Sequence, residues 1–254
     1  MSEFWGFETD GLFRESDPTI ERNDRTIITN QPFRLNDDGE AVYMQSRAIP
    51  GDYRFVDQNG DGILDDEDRV FLGSPLPKFT FGFTINLEYK VLDLVAFFNG
   101  TYGNKIFNGT KQYLYYSQGY GNRLEAFADR YKDEVIKDGV VVVQANHDTD
   151  IARFNADNYT KNSDFFIEDG SHIRLRSLQL GFTIPRSFTS RNGIDRFRVY
   201  VGARNLFTLT KYTGYDPVVS GGSTSGDNGT MAQGIDIGGY PTTKMFLAGI
   251  NLDF

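Results

Sequence analysis

The stretch FTFGFTINLEYKVLDLVAFFNGTY, residues 79–102, decides the fold class. From Phe79 to Tyr89 every second residue is apolar, and the residues between them are polar, small or charged. Successive side chains of a strand point to opposite faces, so this alternation predicts an amphipathic strand. Lys90 and Val91 then connect it to a second alternating stretch that ends at Tyr102. The pair predicts a β-hairpin with a tight turn.

Three later stretches repeat the alternation. Residues 171–184 change phase near Ser177, which indicates a bulge or the level at which a strand enters lipid, and Pro185 ends that strand. Residues 197–203 place arginines on the second face, which is tolerable in a water-filled lumen and costly in lipid. The chain ends on a strand with one apolar face, made of Phe246, Ala248, Ile250, Leu252 and Phe254.

Loop lengths favour a membrane protein over a soluble one. The alternating stretches approach the 9 to 11 residues of a tilted membrane-spanning strand, and short turns alternate with long polar loops. The long loops are residues 104–169, with a predicted helix at 124–136 and a β-prone run at 140–143, and the Gly/Ser-rich residues 220–239, expected to be mobile. We predict an all-β chain that forms part of a large antiparallel transmembrane β-barrel with long extracellular loops. A soluble β-sandwich also fits.

Composition excludes several classes of protein. The mean hydropathy is −0.43, and no apolar run approaches the roughly 20 residues of a membrane-spanning helix. There is no cysteine, hence no disulfide or thiolate site, and a net charge of −9 argues against binding nucleic acid. The N-terminus has no basic region followed by an apolar core, so it is not a signal peptide. We interpret Met1 as the edge of a fragment.

One motif carries clear chemistry. Residues 57–68 read DQNGDGILDDED, which is nearly an EF-hand calcium loop. Gly62 permits the sharp turn of such a loop, and the final position holds an aspartate where the motif has a longer glutamate. Six acids in the segment repel one another unless a cation binds, although a solvated acidic turn has a similar composition. We predict a structural Ca²⁺ site whose ligands are Asp57, Asn59, Asp61, the Ile63 carbonyl, Asp65 and Asp68.

Residues with catalytic chemistry are scarce. The chain has only two histidines, His147 and His172, and it contains neither a nucleophile elbow nor a phosphate-binding loop. His172 precedes a strand, where a structural role is expected. We therefore predict that the chain is not an enzyme. The aromatic run of Tyr113, Tyr115, Tyr116 and Tyr120 either stacks on sugar rings as a substrate-binding surface or packs a loop.

Several segments together resemble the SusC/RagA family of TonB-linked outer-membrane transporters from Bacteroidetes, in its C-terminal part. They run in the family's order and cover nearly the whole chain. The segments are GFETDGLF (6–13), PGDYRFVDQNGDGILDDEDRVFLGSPLPKFTFGF (50–83), NSDFFIEDGSHIRLRSLQLGFTIP (162–185), ARNLFTLTKYTGYDPVV (203–219) and the terminal Phe254.

The resemblance implies a slice of a large barrel, residues 1–254, that imports nutrients such as oligosaccharides or peptides across the outer membrane. It implies a SusD-type lipoprotein as partner, and TonB acting on an N-terminal plug that has no counterpart here. The missing plug and strands, together with outer-membrane lipid, would complete the assembly. The last strand resembles the signal that the assembly machinery recognises, carried by Phe246, Ile250, Leu252 and Phe254.

Two other functions stay open from the sequence. One is a soluble or surface-attached β-rich module that binds glycans with calcium and aromatic loops. The other is a glycan-active enzyme, which requires a pair of carboxylates in a cleft. Extraction into buffer without detergent would contradict the barrel, and activity on a polysaccharide would support the enzyme. No motif in the chain specifies a substrate.

Overall fold

The structure is a computed structural model that describes residues 3–116, 121–189, 193–219 and 233–254. Its strands in chain order are β1 (Phe4–Gly6), β2 (Thr9–Leu12), β3 (Thr19–Arg22), β4 (Arg25–Ile28), β5 (Phe33–Leu35), β6 (Ala41–Tyr43), β7 (Tyr53–Phe55), β8 (Val70–Gly73), β9 (Phe79–Tyr89), β10 (Leu92–Tyr102), β11 (Lys105–Asn108), β12 (Val135–Lys137), β13 (Val140–Val143), β14 (Ile167–Asp169), β15 (His172–Ile184), β16 (Arg196–Arg204), β17 (Thr208–Thr210), β18 (Ile235–Asp236) and β19 (Met245–Asp253).

Helices are few and short. The α-helices are α1 (Gly109–Tyr116), α2 (Ala156–Thr160) and α3 (Arg186–Thr189), and the 3₁₀ turns are Asp66–Asp68, Glu125–Asp129 and Asp164–Phe166. Among the described residues, no helix has the length and apolar character that crossing a membrane requires. The chain divides into two compact units, one of residues 3–73 and 107–167, the other of residues 74–106 and 168–254.

The second unit is built on five long antiparallel strands in the order β19, β16, β15, β10, β9, with β17 paired to β15. The predicted hairpin is confirmed, because β9 and β10 pair from Tyr89 and Leu92 at the turn to Phe79 and Tyr102 at the far end. Lys90 has a φ of 55°, as a tight two-residue turn requires. The predicted strands at 171–184, 197–203 and 246–254 are also confirmed.

The phase change near Ser177 is a β-bulge. Phe97 pairs with Ser177 and Phe98 with Leu175, so Arg176 is the extra residue of β15. The bulge keeps the apolar residues on one face, because Ile173 and Leu175 before it share that face with Leu178 and Leu180 after it.

The registers therefore align one continuous apolar face across five strands. Many of its large side chains are exposed, and a soluble sheet would cover a patch of this size. The face includes Phe79, Phe83, Ile85 and Leu87 of β9, Leu92, Leu94 and Phe98 of β10, Leu178, Leu180 and Phe182 of β15, Phe197, Val199 and Val201 of β16, and Phe246, Ile250 and Leu252 of β19.

The connections between the long strands differ in length at the two ends of the sheet. Residues 90–91 and 185–195 leave one end, where β19 also finishes. Residues 103–171 and 205–244 connect the strands at the other end. The alternation of short turns with long loops predicted from the sequence is therefore the arrangement of this sheet.

The first unit has an aromatic core instead of an exposed apolar face. Phe7, Tyr53, Phe55 and Phe166 are buried in one cluster with six further residues, which are Leu12, Tyr115, Phe127, Tyr131, Ala152 and Tyr159. Asp52 lies buried beside this core, where it accepts hydrogen bonds from Arg153 Nε at 2.7 Å and Asn158 Nδ2 at 2.9 Å. Residues 3–73 and 107–167 thus fold around their own core.

Two local predictions for the loops need correction. The helix predicted at 124–136 is wrong, because that stretch contains a 3₁₀ turn, Glu125–Asp129, and strand β12. Phe127 is drawn into the aromatic core, and Lys132 pairs with Asn146, so tertiary contacts override the helical pattern. Most of the loop predicted at 220–239 lies outside the described residues. The part around β18 is packed, because Asp236 is buried, whereas residues 237–239 are exposed.

Candidate functional site

The acidic loop 57–68 curls as its spacing predicts. Asp57 accepts hydrogen bonds from the Gly60 and Gly62 N–H groups, at 2.6 and 2.8 Å. Asn59 accepts from Asp61 N, and Asp61 accepts from Ile63 N at 2.7 Å. The side chains at alternate positions are therefore turned into the loop by backbone hydrogen bonds.

The end of the loop is closed by two further aspartates. Asp68 is fully buried and accepts hydrogen bonds from Gln58 N at 2.9 Å and from Asp65 N at 3.0 Å. Asp65 caps the 3₁₀ turn Asp66–Asp68, so Asp65 and Asp68 bond reciprocally in a capping box. Gly62 has a φ of 74°, and a Cβ there would lie 2.5 Å from the Phe33 carbonyl carbon. Only glycine fits this turn.

The carboxylates of the loop lie near one another, but they do not converge on a single position for an ion. In this part of the chain, all of it described, no three of them have oxygens within 4.8 Å of one another. Each ionised carboxylate still has lone pairs beyond the hydrogen bonds it accepts. A hard cation bound here would draw the side chains inward, and the residue types are those that calcium prefers.

The predicted tyrosine surface is only partly formed. Tyr113 on α1 is 69% exposed, whereas Tyr115 is 3% exposed and packs edge-on against Phe127 in the aromatic core. Tyr115 cannot present its ring to a sugar, so that assignment is corrected to a packing role. Tyr116 is half-buried, and Tyr120 lies outside the described residues.

The second face of the sheet carries a charge pair across three strands. Arg198 of β16 donates from Nε to Asp93 Oδ1 of β10 at 2.9 Å, and it forms an ion pair with the same carboxylate. Gly181 of β15 lies beneath them, where a Cβ would be 2.3 Å from Asp93 Oδ1. This face is polar, as expected of a surface in contact with water.

The residues of the predicted assembly signal all lie in or directly after β19. Phe246, Ile250 and Leu252 are exposed on the apolar face, and Phe254 follows the strand and is also exposed. Their exposure makes them available for recognition, and the signal itself stays a prediction.

A buried ion pair that the sequence did not predict holds the long-loop end of the sheet. Arg174 of β15 pairs with Asp216, and both side chains are nearly inaccessible. Arg174 also donates to Thr208 at 2.8 Å and to Thr242 at 3.1 Å. Burial disfavours ionisation of Asp216, but hydrogen bonds from Val218 N, Thr242 and Arg174 outweigh it and lower the pKa of the carboxyl. The sequence did hold one indication of this pair, because Arg174 and Asp216 lie in two of the segments that resemble the SusC/RagA family, 162–185 and 203–219.

A second buried pair lies beside it. The Tyr212 hydroxyl donates to Asp236 Oδ2 at 2.5 Å, and Asp236 also accepts from Gly238 N at 2.8 Å. Burial and the Asp236 carboxylate raise the pKa of Tyr212. His172, predicted to be structural, is buried, with Nδ1 3.2 Å from both Thr101 Oγ1 and the Gly170 carbonyl oxygen.

Proteins of known class resemble this chain along most of its length. TonB-dependent receptor P26 of Formosa agariphila is 33% identical over 219 residues, which is 85% of this chain and 21% of the receptor. TonB-dependent receptor P3 of the same organism is 31% identical over 205 residues, 81% of this chain and 19% of the receptor. TonB-dependent receptor SusC of Bacteroides thetaiotaomicron is 24% identical over 262 residues, the whole of this chain and 23% of SusC. No family model matches.

Solved structures share the fold. The RagAB peptide importer in its closed-closed state matches 99% of this chain and 23% of its own, with a TM-score of 0.63 and 22% identity. A second RagAB structure matches with a TM-score of 0.62. These relatives define the class: the chain is TonB-dependent receptor sequence, and proteins of that class reside in the outer membrane. Within the class it is SusC/RagA-like, and it spans about a fifth to a quarter of its relatives' length.

Proposed function

We propose that the chain is the C-terminal part of the barrel of a SusC-like, TonB-dependent transporter in the outer membrane. In this proposal the transporter imports glycans or peptides with a SusD-type lipoprotein, and TonB acts through a plug supplied by another part of the protein. The chain has a structural and transport role without catalysis.

The observation that carries the proposal is the exposed apolar face of the five long strands. These strands are 9 to 13 residues long, the length that a tilted strand needs to cross a bilayer. One face is apolar throughout and the other carries Asp93 and Arg198, so the sheet suits lipid on one side and water on the other. Edge strands in lipid need partners, which the remaining strands of a barrel supply.

Lipid contact is tested with two single variants, one with an arginine on the apolar face of the sheet and one with an arginine on the polar face. Val201 of β16 is 53% exposed on the apolar face, and Asn86 of β9 is exposed on the polar face at the level of Gly202, the residue next to Val201. We expect Val201→Arg to destabilise the complete receptor folded in lipid vesicles by about 2–4 kcal/mol, as a midplane arginine does. Asn86→Arg is the control matched in depth and should cost far less.

The same pair of variants separates the two candidate classes. A soluble module tolerates arginine at an exposed position, so equal stability of the two variants, with the wild-type chain soluble without detergent, would contradict the membrane proposal. Urea unfolding followed by far-UV circular dichroism gives the free energies.

The proposed substrates, peptides or glycans, are taken from what related transporters are named for. RagAB is a peptide importer by name, and SusC is similar to the whole of this chain over 23% of its own length. We expect cells that carry the complete receptor to take up labelled peptides or oligosaccharides. Uptake should be lost when Val201 is replaced by arginine and kept with Asn86→Arg. Uptake of neither substrate by cells with the folded receptor would contradict the proposal.

For the acidic loop 57–68, we propose a structural calcium site. The support is the inward direction of the side chains at alternate positions, the Gly62 turn and the buried closing residue Asp68. In a bound state, Asp57, Asn59, Asp61, Asp65, Asp68 and the Ile63 carbonyl would supply oxygen ligands. Their mutual repulsion would then be neutralised.

Calorimetry on the folded chain tests this site. Asp61→Asn removes the charge at the fifth position of the loop and should lower calcium affinity at least about tenfold, because affinity follows ligand charge. Asp66→Asn removes an equal charge from the same loop at a position that is not a proposed ligand, and it should have little effect. Absence of calcium uptake by the wild-type chain would contradict the site.

A further inference from the structure

A second cluster of metal-ligating side chains lies in the first unit and shares no residue with the acidic loop. Glu15, Asp133 and His147 each offer one ligand atom, and these atoms all lie within 4.8 Å of one another. His147 Nε2 is 3.0 Å from Asp133 Oδ1, and His147 Nδ1 is 3.6 Å from Glu15 Oε1. Of the groups formed by described residues, this is the one with three converging ligand atoms.

A buried tyrosine provides a second, independent observation. Tyr131 stacks on the His147 ring, with centroids 4.7 Å apart and planes at 9°. It is 2% exposed, and its hydroxyl has no hydrogen-bond partner within the described chain. Buried hydroxyls are normally bonded, and a ligand in the cluster would supply the missing partner.

The backbone holds the three segments in place. Lys132 and Asn146 exchange backbone hydrogen bonds at 3.2 and 2.8 Å, which fixes the neighbouring Asp133 and His147 relative to each other. Arg14, which precedes Glu15, donates from its guanidinium to the His147 carbonyl oxygen. The ligand-bearing positions are therefore preorganised by contacts that do not use the ligand atoms.

We propose that Glu15, Asp133 and His147 bind a zinc ion, with the Tyr131 hydroxyl bonded to a carboxylate or to a water on the metal. One imidazole nitrogen and two carboxylates form a mixed nitrogen and oxygen set that suits Zn²⁺ better than Ca²⁺. With His147 neutral, the two carboxylates balance the charge of the ion. Asp133 lies at Nε2 of His147 and Glu15 at Nδ1, so one ion binds a single ring nitrogen and the carboxylate at the other nitrogen turns toward it. Both carboxylates are exposed enough to move in this way.

Zinc titration of the folded full chain, with calcium in excess to occupy the acidic loop, tests the proposal. We expect one zinc site in the wild-type chain. His147→Phe keeps a ring stacked on Tyr131 but has no nitrogen ligand, and Asp133→Asn removes one carboxylate. Each should lower zinc affinity at least about tenfold. Glu134→Gln is the matched control, because it removes the neighbouring charge and should leave the affinity unchanged.

Tyr131→Phe tests the role of the hydroxyl. It retains the ring and is expected to weaken zinc binding by about tenfold, as the loss of an outer partner of a metal ligand does. Equal zinc affinity in the wild-type chain, His147→Phe and Asp133→Asn would overturn the site, provided that circular dichroism shows all three folded. Failure of calcium binding in the loop would not affect this outcome, because the two sites share no residue.

Discussion

At the scale of the residue, Arg174 connects separate segments of the second unit through one buried guanidinium. Its guanidinium is buried with Asp216 and hydrogen-bonded to Thr208 and Thr242, so it joins β15 to two long-loop segments. Breaking a buried pair leaves one charge without compensation. We expect Arg174→Met to destabilise the chain by about 3–5 kcal/mol.

The control for that substitution is an exposed pair of the same chemistry. Arg186 and Asp195 form an ion pair with both side chains mostly in solvent. Arg186→Met should therefore cost no more than about 1 kcal/mol in the same urea unfolding experiment. Similar losses for the two variants would contradict the assigned role of Arg174.

Asp216 also gives the chain a defined pH dependence. Its pKa is lowered below the ordinary value of 3.8, because hydrogen bonds to the carboxylate outweigh its burial. A lowered pKa in the folded state stabilises the fold above the ordinary pKa, and this contribution is lost as pH falls through the folded value. The wild-type chain should have a higher unfolding midpoint than Asp216→Asn at pH 6. This difference should decrease as the pH falls below 4. A difference that is independent of pH would contradict this linkage.

At the scale of the element, the β9–β10 turn has a strict conformational requirement. Lys90 has a φ of 55°, which asparagine adopts readily and proline cannot reach. We expect Lys90→Asn to keep the hairpin at wild-type stability or slightly above it. Lys90→Pro should lower the unfolding midpoint strongly, because the two strands could no longer keep the register from Tyr89 and Leu92 onward. Equal midpoints would show that the turn does not fix the register.

The long strands were predictable from sequence because one physical rule governs each of them. Alternation predicts a strand reliably when one face is apolar along its whole length, as from Phe79 to Tyr89. The loop residues 104–169 obey no such rule, and Tyr115 and Phe127 are placed by aromatic packing between distant segments. Sequence spacing correctly predicted the local curl of residues 57–68. It could not predict Glu15 beside His147, because their approach depends on contacts across 132 residues.

At the scale of the whole molecule, the absence of cysteine makes a depth map of the sheet practical. In the complete receptor folded in vesicles, a fluorophore attached to a single cysteine at Val201 on the apolar face should be quenched by spin labels in the acyl chains. A label at Gln179, on the opposite face of β15, should be quenched by aqueous iodide instead. The two residues lie on neighbouring paired strands, so they differ chiefly in the face they occupy.

The ends of the sheet complete that map. Lys90 is in the turn at one end, and Lys211 follows β17 at the other, so both labels should be quenched by headgroup spin labels rather than by those in the acyl chains. The expected order of lipid depth is Val201 deepest, with Lys90 and Lys211 shallow. Iodide quenching of all four labels alike would mean that the apolar face is covered by protein or left in water. Because that face carries the transport proposal, this outcome would remove its physical basis while leaving the similarity in fold intact.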